Sequence, residues 1–169
     1  MSTVPEPWLR GPIAGVDPYL MPAAHALTQS SEDIARAAGD LSPAALWARP
    51  GGAASVGFHL RHIAGSIGRL LTYARGERLS AAQLAAISAE GVPGEPPEEA
   101  APLVQRAQEA IAGAIDALRA TPREVLLEPR TVGRAALPTN VLGLLMHVAE
   151  HTQRHTGQII ATAKVVQGS

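Results

Sequence analysis

The sequence predicts an all-α protein in which four helices pack as a bundle. The 169-residue chain is 46 % apolar but only 3 % aromatic, so small and aliphatic side chains must fill its interior. Strong helix formers are abundant, and the β-branched and aromatic runs that build strands are lacking. Four stretches repeat apolar residues with a helical period, and segments rich in Pro and Gly separate them. Helices packed on helices are therefore the expected architecture.

The N-terminal segment is expected to be an irregular arm over residues 1–17, because prolines interrupt it repeatedly. Trp8 in this arm is expected to pack against the body of the protein, since an indole ring is costly to expose. The first helix is predicted from Asp17, its N-cap, to Ala38. Residues 18–169 are expected to form a single domain.

The middle of the chain predicts a second long helix and a short one. Apolar residues recur with a helical period from Ala53 to Arg75, and Gly76 ends the run. A short helix is expected after Ser80, which can serve as its N-cap. Residues 90–99, "EGVPGEPPEE", are dense in Pro and Gly and therefore predict a loop.

The C-terminal part predicts two further long helices. The third helix is expected over residues 98–119, beginning with glutamates where the helix dipole favours negative charge. Residues 124–138 could hold extended strand, but Pro129 and Gly133 favour a loop over a sheet. The last helix is expected over residues 139–166.

Charge and composition exclude several classes of function. A formal net charge of -1 without a Lys/Arg cluster indicates neither a nucleic-acid partner nor an anionic membrane surface. The absence of cysteine excludes disulfides, thiolate nucleophiles and Cys-based metal sites. No segment has the unbroken apolar length of a signal peptide or a membrane span, so a cytoplasmic protein is expected.

A ladder of three histidines marks the last helix. In "HVAEHTQRH", His147, His151 and His155 follow one another at four-residue spacing. Two histidines at this spacing project from one side of a helix and can share a divalent ion. The helical wheel places His151 and His155 at the border of the core and turns His147 toward water. The glutamate that serves as catalytic base in HExxH zinc helices is missing.

A third ligand would have to come from another helix, because two imidazoles alone make a weak site. The remaining histidines are His25, His59 and His62. His59 and His62 lie in "FHLRHIAGSIGRLL" of the second helix, where the wheel puts His59 nearer the apolar centre. Periodicity thus slightly favours His59 without deciding between the two.

Two motifs, "HIAGSIGRLL" in the second helix and "EHTQRHTGQI" in the last, resemble the DinB/YfiT-like family over residues 18–166. The resemblance implies an up-down-down-up four-helix bundle that binds a divalent metal through three histidines. Matched by motif, these are His62, His151 and His155. It also implies that Gly157 permits close helix approach and that Gln158 can hydrogen-bond near the site.

The same resemblance implies a metal-dependent enzyme, either a transferase that uses a low-molecular-weight thiol as cosubstrate or a hydrolase. Zn²⁺ and Ni²⁺ are the metals expected at such a site, with a small molecule as substrate. The alternative is a non-catalytic bundle that binds metal or forms a dimer. A homodimer is compatible with the alanine-rich helices.

Overall fold

The computed structural model describes residues 4–168 and is mostly helical. Residues 1–3 of the expected arm and residue 169 lie outside the described residues. Within that part of the chain, six α-helices and two short strands follow in the order α1 (Met21–Ala38), α2 (Pro43–Trp47), α3 (Val56–Ala74), α4 (Ala81–Ala89), α5 (Ala100–Ala120), β1 (Pro129–Val132), β2 (Leu137–Asn140) and α6 (Val141–Gln167).

The four long helices, α1, α3, α5 and α6, correspond to the four expected from apolar periodicity. α1 and α3 each contact both α5 and α6. Their apolar faces meet in a common core, whose fully buried side chains include Leu27, Ile34, Leu60, Ile63, Ile111, Leu145 and Ile159. Burying a side chain of this size contributes about 1.5–3 kcal/mol to stability. Among the described residues, no helix combines the length and hydropathy needed to cross a membrane.

Side-chain caps fix where two of these helices begin. Ser55 Oγ accepts a hydrogen bond from the amide of Phe58 at 3.1 Å and starts α3. Asn140 Oδ1 accepts from the amide of Gly143 at 2.7 Å and starts α6. Each cap satisfies a backbone donor that the first helical turn leaves without an intrahelical partner. The two helices that carry the candidate histidines therefore begin at defined residues.

The prediction that Asp17 caps the first helix is wrong. Leu20 occupies the N-cap position, and the helix begins at Met21. Asp17 Oδ1 instead accepts from the amide of Tyr19 at 2.9 Å, in a turn that precedes the helix. Asp side chains stabilise such turns by the same local hydrogen bonding with which they cap helices, so the sequence signal was ambiguous.

The expectation of a loop over residues 124–138 is also wrong in part. β1 and β2 pair antiparallel, with Pro129 opposite Asn140 and Val132 opposite Leu137. The connecting turn uses positive φ angles at Gly133 (71°) and Ala136 (49°). Pro129 stands in the first position of its strand, where proline is tolerated. Over residues 4–168 the fold is thus mostly helical with one two-stranded hairpin.

The N-terminal arm lies along α1, but not through Trp8. The Trp8 side chain is 62 % exposed and donates from its indole nitrogen to Glu6 at 2.7 Å, so the expected packing is wrong. A ring nitrogen of His25 in α1 instead lies 2.9 Å from the backbone oxygen of Gly11. The arm is thus held by polar contacts and by the apolar side chains of Val16 and Ile13, which pack in or against the core, and not by Trp8.

Candidate metal centre

Three histidines from two packed helices converge on one point. His62 projects from α3, and His151 and His155 project from α6. One ring nitrogen from each lies within 4.8 Å of the other two. The Nε2 atoms of His62 and His151 are 2.9 Å apart, and the rings of His62 and His155 have centroids 4.4 Å apart. All three side chains are half-buried.

Local helix geometry accounts for this convergence. His151 and His155 are one turn apart in α6, so their side chains leave the same face of the helix. Their ring centroids are accordingly only 4.6 Å apart. Thr152 and Thr156, which follow them in sequence, are buried and donate to backbone oxygens one turn earlier. The contact between α3 and α6 then brings His62 to the pair.

The surroundings keep the imidazoles of His151 and His155 neutral. Burial, and to a smaller extent the proximity of His62, lowers the pKa of His151 to about 4 and that of His155 to about 3. Both rings are therefore uncharged at neutral pH. A neutral imidazole has a free lone pair on one nitrogen, which is the form that binds a metal ion.

His59 lies beside the group and contacts one of its members. It is only 4 % exposed, as the helical wheel indicates, and burial lowers its pKa to about 4. Its Nδ1 lies 3.0 Å from Nδ1 of His155. His59 is thus a neighbour of His155, and His62 is the histidine of α3 that joins the pair.

A buried carboxylate completes the surroundings of His62. Glu90 Oε2 lies 2.7 Å from Nδ1 of His62, and Glu90 is 5 % exposed. The sequence places Glu90 at the start of a loop, and no spacing pattern connects it with His62. The ring of Phe58 stacks on that of His62, with centroids 5.3 Å apart and planes at 16°.

The donor set fits a divalent ion. Three neutral imidazoles are ligands that Zn²⁺ and Ni²⁺ accept, and three protein ligands leave a coordination position open. Nδ1 of His151 is buried and has no hydrogen-bond partner among the described residues.

The sequence of this chain decides its family. Residues 26–159 match the family model of the DinB superfamily. The chain belongs to the DinB superfamily. The resemblance noted from the two histidine motifs is thereby confirmed, and the matched region contains all three converging histidines. A search among curated proteins finds no match.

Other residues singled out in the sequence of the DinB-superfamily protein are not members of this group, although the ring of His147 lies near that of His151, with centroids 5.3 Å apart. The side chain of His147 is 46 % exposed and pairs with Glu150 at 2.9 Å. Gly157 is exposed, and a Cβ added there would meet no atom within 4 Å, so the expected close helix approach is wrong. Gln158 is exposed as well. Both residues lie on the solvent face of α6, while Ile159 after them is buried.

Proposed function

We propose that this DinB-superfamily protein binds a divalent metal ion, Zn²⁺ or Ni²⁺, through His62, His151 and His155. The observation that carries the proposal is the convergence of one ring nitrogen from each histidine within 4.8 Å. Two rigid helices supply the three side chains, so the group is preformed. The lowered pKa values of His151 and His155 support it further, because protons compete weakly for their lone pairs.

We further propose that the site serves an enzyme, either a thiol-dependent transferase or a hydrolase. A divalent ion held by three neutral imidazoles supplies positive charge that lowers the pKa of a water or thiol reaching it. The chain has no cysteine, so a thiol would have to be a separate low-molecular-weight cosubstrate. Family membership supports this class of chemistry, and the substrate would be a small molecule.

The arrangement proposed for α1, α3, α5 and α6 is the up-down-down-up bundle that the family resemblance implies. Its support is the pattern of contacts, in which α1 and α3 each pack on α5 and α6. Residues 18–169 would then form one domain, which we propose to be cytoplasmic.

A second candidate is a non-catalytic bundle that binds metal or forms a homodimer. The observation that favours it is the apolar surface of α4 and the loop after it. Leu84, Ile87 and Val92 are 55 %, 45 % and 56 % exposed, and α4 buries none of its own residues. Apolar side chains grouped on a surface are typical of interaction sites.

The metal site is tested by metal analysis of purified protein. Wild type, His62→Ala, His151→Ala and His155→Ala are compared after equilibration with Zn²⁺ and removal of free ion. His25→Ala is the matched control, because it removes a histidine of α1 that contacts the backbone oxygen of Gly11 and is not part of this group. We expect bound metal in wild type and control and little in the other three. Equal occupancy in all five proteins would refute the site.

The enzyme and the non-catalytic bundle are separated by thermal unfolding with metal and a panel of thiols. A thiol that stabilises the protein only in the presence of metal supports the enzyme, because ligand binding to the folded state raises its stability. Stabilisation by metal alone, together with a dimer in size-exclusion chromatography, supports the second candidate.

A further inference from the structure

Glu90 is a buried carboxylate beside the candidate metal site, at the C-terminal end of α4. Burying a carboxylate costs several kcal/mol unless its oxygens have partners. Both oxygens of Glu90 do. Oε1 lies 2.8 Å from Nη1 of Arg69, and Oε2 lies 2.7 Å from Nδ1 of His62. The carboxylate therefore bridges an arginine and a histidine of α3.

Helix α3 has a gap that receives this carboxylate. Gly65 lies between His62 and Arg69, and its missing side chain leaves the space that the carboxylate and the guanidinium fill. A Cβ added to Gly65 would lie 2.6 Å from Glu90 Oε1 and 2.7 Å from Arg69 Nη1. Such distances are too short for non-bonded atoms, so the observed packing requires glycine here.

The segment that carries Glu90 is fastened independently of His62. Nη1 of Arg61 donates to the backbone oxygen of Ala89 at 2.8 Å and also to that of Val92. The guanidinium of Arg61 lies over the ring of Trp47, with its central carbon 4.8 Å from the ring centroid. These contacts hold the backbone on both sides of Glu90, so the position of its carboxylate does not depend on the histidine.

We propose that Glu90 is a positioning residue for His62. A carboxylate only accepts hydrogen bonds, so Nδ1 of His62 carries the proton of their contact. In neutral His62, Nε2 is then the nitrogen with the free lone pair, and Nε2 is the atom 2.9 Å from Nε2 of His151. Glu90 thus sets both the tautomer and the orientation in which His62 binds a metal.

The contrast with His151 shows what Glu90 adds. With Nε2 of His62 as the acceptor, their 2.9 Å contact places the proton of His151 on its Nε2, while Nδ1 of His151 has no partner among the described residues. His62 therefore offers the lone pair of Nε2 before a metal ion binds, whereas His151 must first move its proton from Nε2 to Nδ1. The inference rests on the proposed metal site, and its test separates the two.

The test measures Zn²⁺ affinity by competition with a chromophoric chelator for wild type, Glu90→Ala and Glu90→Gln. Glu98→Ala is the matched control, because Glu98 pairs with Arg61 at 2.8 Å and contacts no histidine. We expect the Kd of Glu90→Ala to rise about 10–100-fold, the range typical of such outer partners. Glu90→Gln keeps an acceptor oxygen, so a smaller rise is expected, and Glu98→Ala should bind as wild type does.

A second readout does not need metal. Two-bond ¹H–¹⁵N spectra of the metal-free protein report which ring nitrogen of each histidine carries the proton. We expect His62 to carry it on Nδ1 in wild type and to lose that preference in Glu90→Ala, with no change in Glu98→Ala. A merely structural role of Glu90 would leave this signature unmoved.

Three outcomes would overturn the inference. They are an unchanged Kd in Glu90→Ala, an equal loss in Glu98→Ala, and an unchanged His62 tautomer. Should Glu90→Ala fail to fold, Glu90→Gln decides, and a Kd equal to that of wild type would contradict the proposal. The His62→Ala variant distinguishes failure of this inference from failure of the proposed metal site. If it weakens binding and the Glu90 variants do not, only this inference fails; if it has no effect, the metal site itself fails.

Discussion

Replacing Gly65 with alanine is expected to destabilise the protein, whereas the same replacement at Gly68 in the same helix is expected to stabilise it. Both glycines lie inside α3, where alanine is favoured over glycine by about 0.5–1 kcal/mol. A Cβ at Gly68 would meet no atom within 4 Å. Gly68→Ala should therefore raise the free energy of unfolding by about that amount.

At Gly65 the new methyl group would displace a buried ion pair. Its Cβ would lie 2.6 Å from Glu90 Oε1 and 2.7 Å from Arg69 Nη1, so the carboxylate, the guanidinium or both must move away. The side chains of Glu90 and Arg69 are only 6 % and 12 % exposed, which leaves little room. Losing one charge-assisted hydrogen bond costs about 1.5–3 kcal/mol. Because the helix preference is common to both variants, Gly65→Ala should be less stable than Gly68→Ala by about that amount.

The assay is urea unfolding followed by far-UV circular dichroism, with a chelator present so that metal binding does not contribute. For a chain of this length, the difference between the variants corresponds to about 3–12 °C in Tm. Equal stabilities for the two variants would refute the reasoning, because the carboxylate would then have room to move away from residue 65 at no cost.

Three other predictions concern pH, metal and a helix cap. In the folded protein the pKa values of His59, His151 and His155 are near 4, 4 and 3, below the 6.5 of a histidine in the unfolded chain. As pH falls below 6.5, the unfolded chain therefore binds more protons than the folded protein, which lowers the stability of the folded protein. Metal-free protein should therefore be less stable in urea at pH 5.5 than at pH 7.5, and equal midpoints would contradict this. Zn²⁺ at a hundred times its Kd should raise the free energy of unfolding by about 2.7 kcal/mol, measured as a rise in Tm that His151→Ala abolishes. Asn140→Ala removes the acceptor of the Gly143 amide and should cost about 0.5–2 kcal/mol in urea unfolding, whereas Asn140→Asp should cost less.

The pair of histidines in α6 could be predicted from the sequence because both lie in one rigid helix. Their four-residue spacing fixes the relative position of the side chains, whatever the rest of the chain does. The choice between His59 and His62 needed more than periodicity. The wheel correctly indicated that His59 is the more buried, but the histidine that joins the pair lies at the edge of the apolar face. Family motifs supplied that choice.

The hairpin could not be predicted because strand pairing depends on two segments at once. When each segment is considered alone, Pro129 and Gly133 indicate a loop and not a sheet. In the structure, Pro129 begins the strand and Gly133 enters the turn with φ +71°. The same residue types that interrupt a long strand also begin and turn a short hairpin, so local composition does not distinguish the two.

The contact of Glu90 with His62 is the part of the candidate site that the sequence could not predict. Its burial depends on Arg69, 21 positions earlier, and on a loop that follows no helical period. The one local trace of this partner is Gly65, three residues after His62 in the interior of a helix. An isolated helix would be more stable with alanine there, by about 0.5–1 kcal/mol. A helical glycine alone does not reveal such a partner, because a Cβ added to Gly68 in the same helix would meet no atom within 4 Å, whereas the corresponding space at Gly65 is taken by the carboxylate of Glu90 and the guanidinium of Arg69.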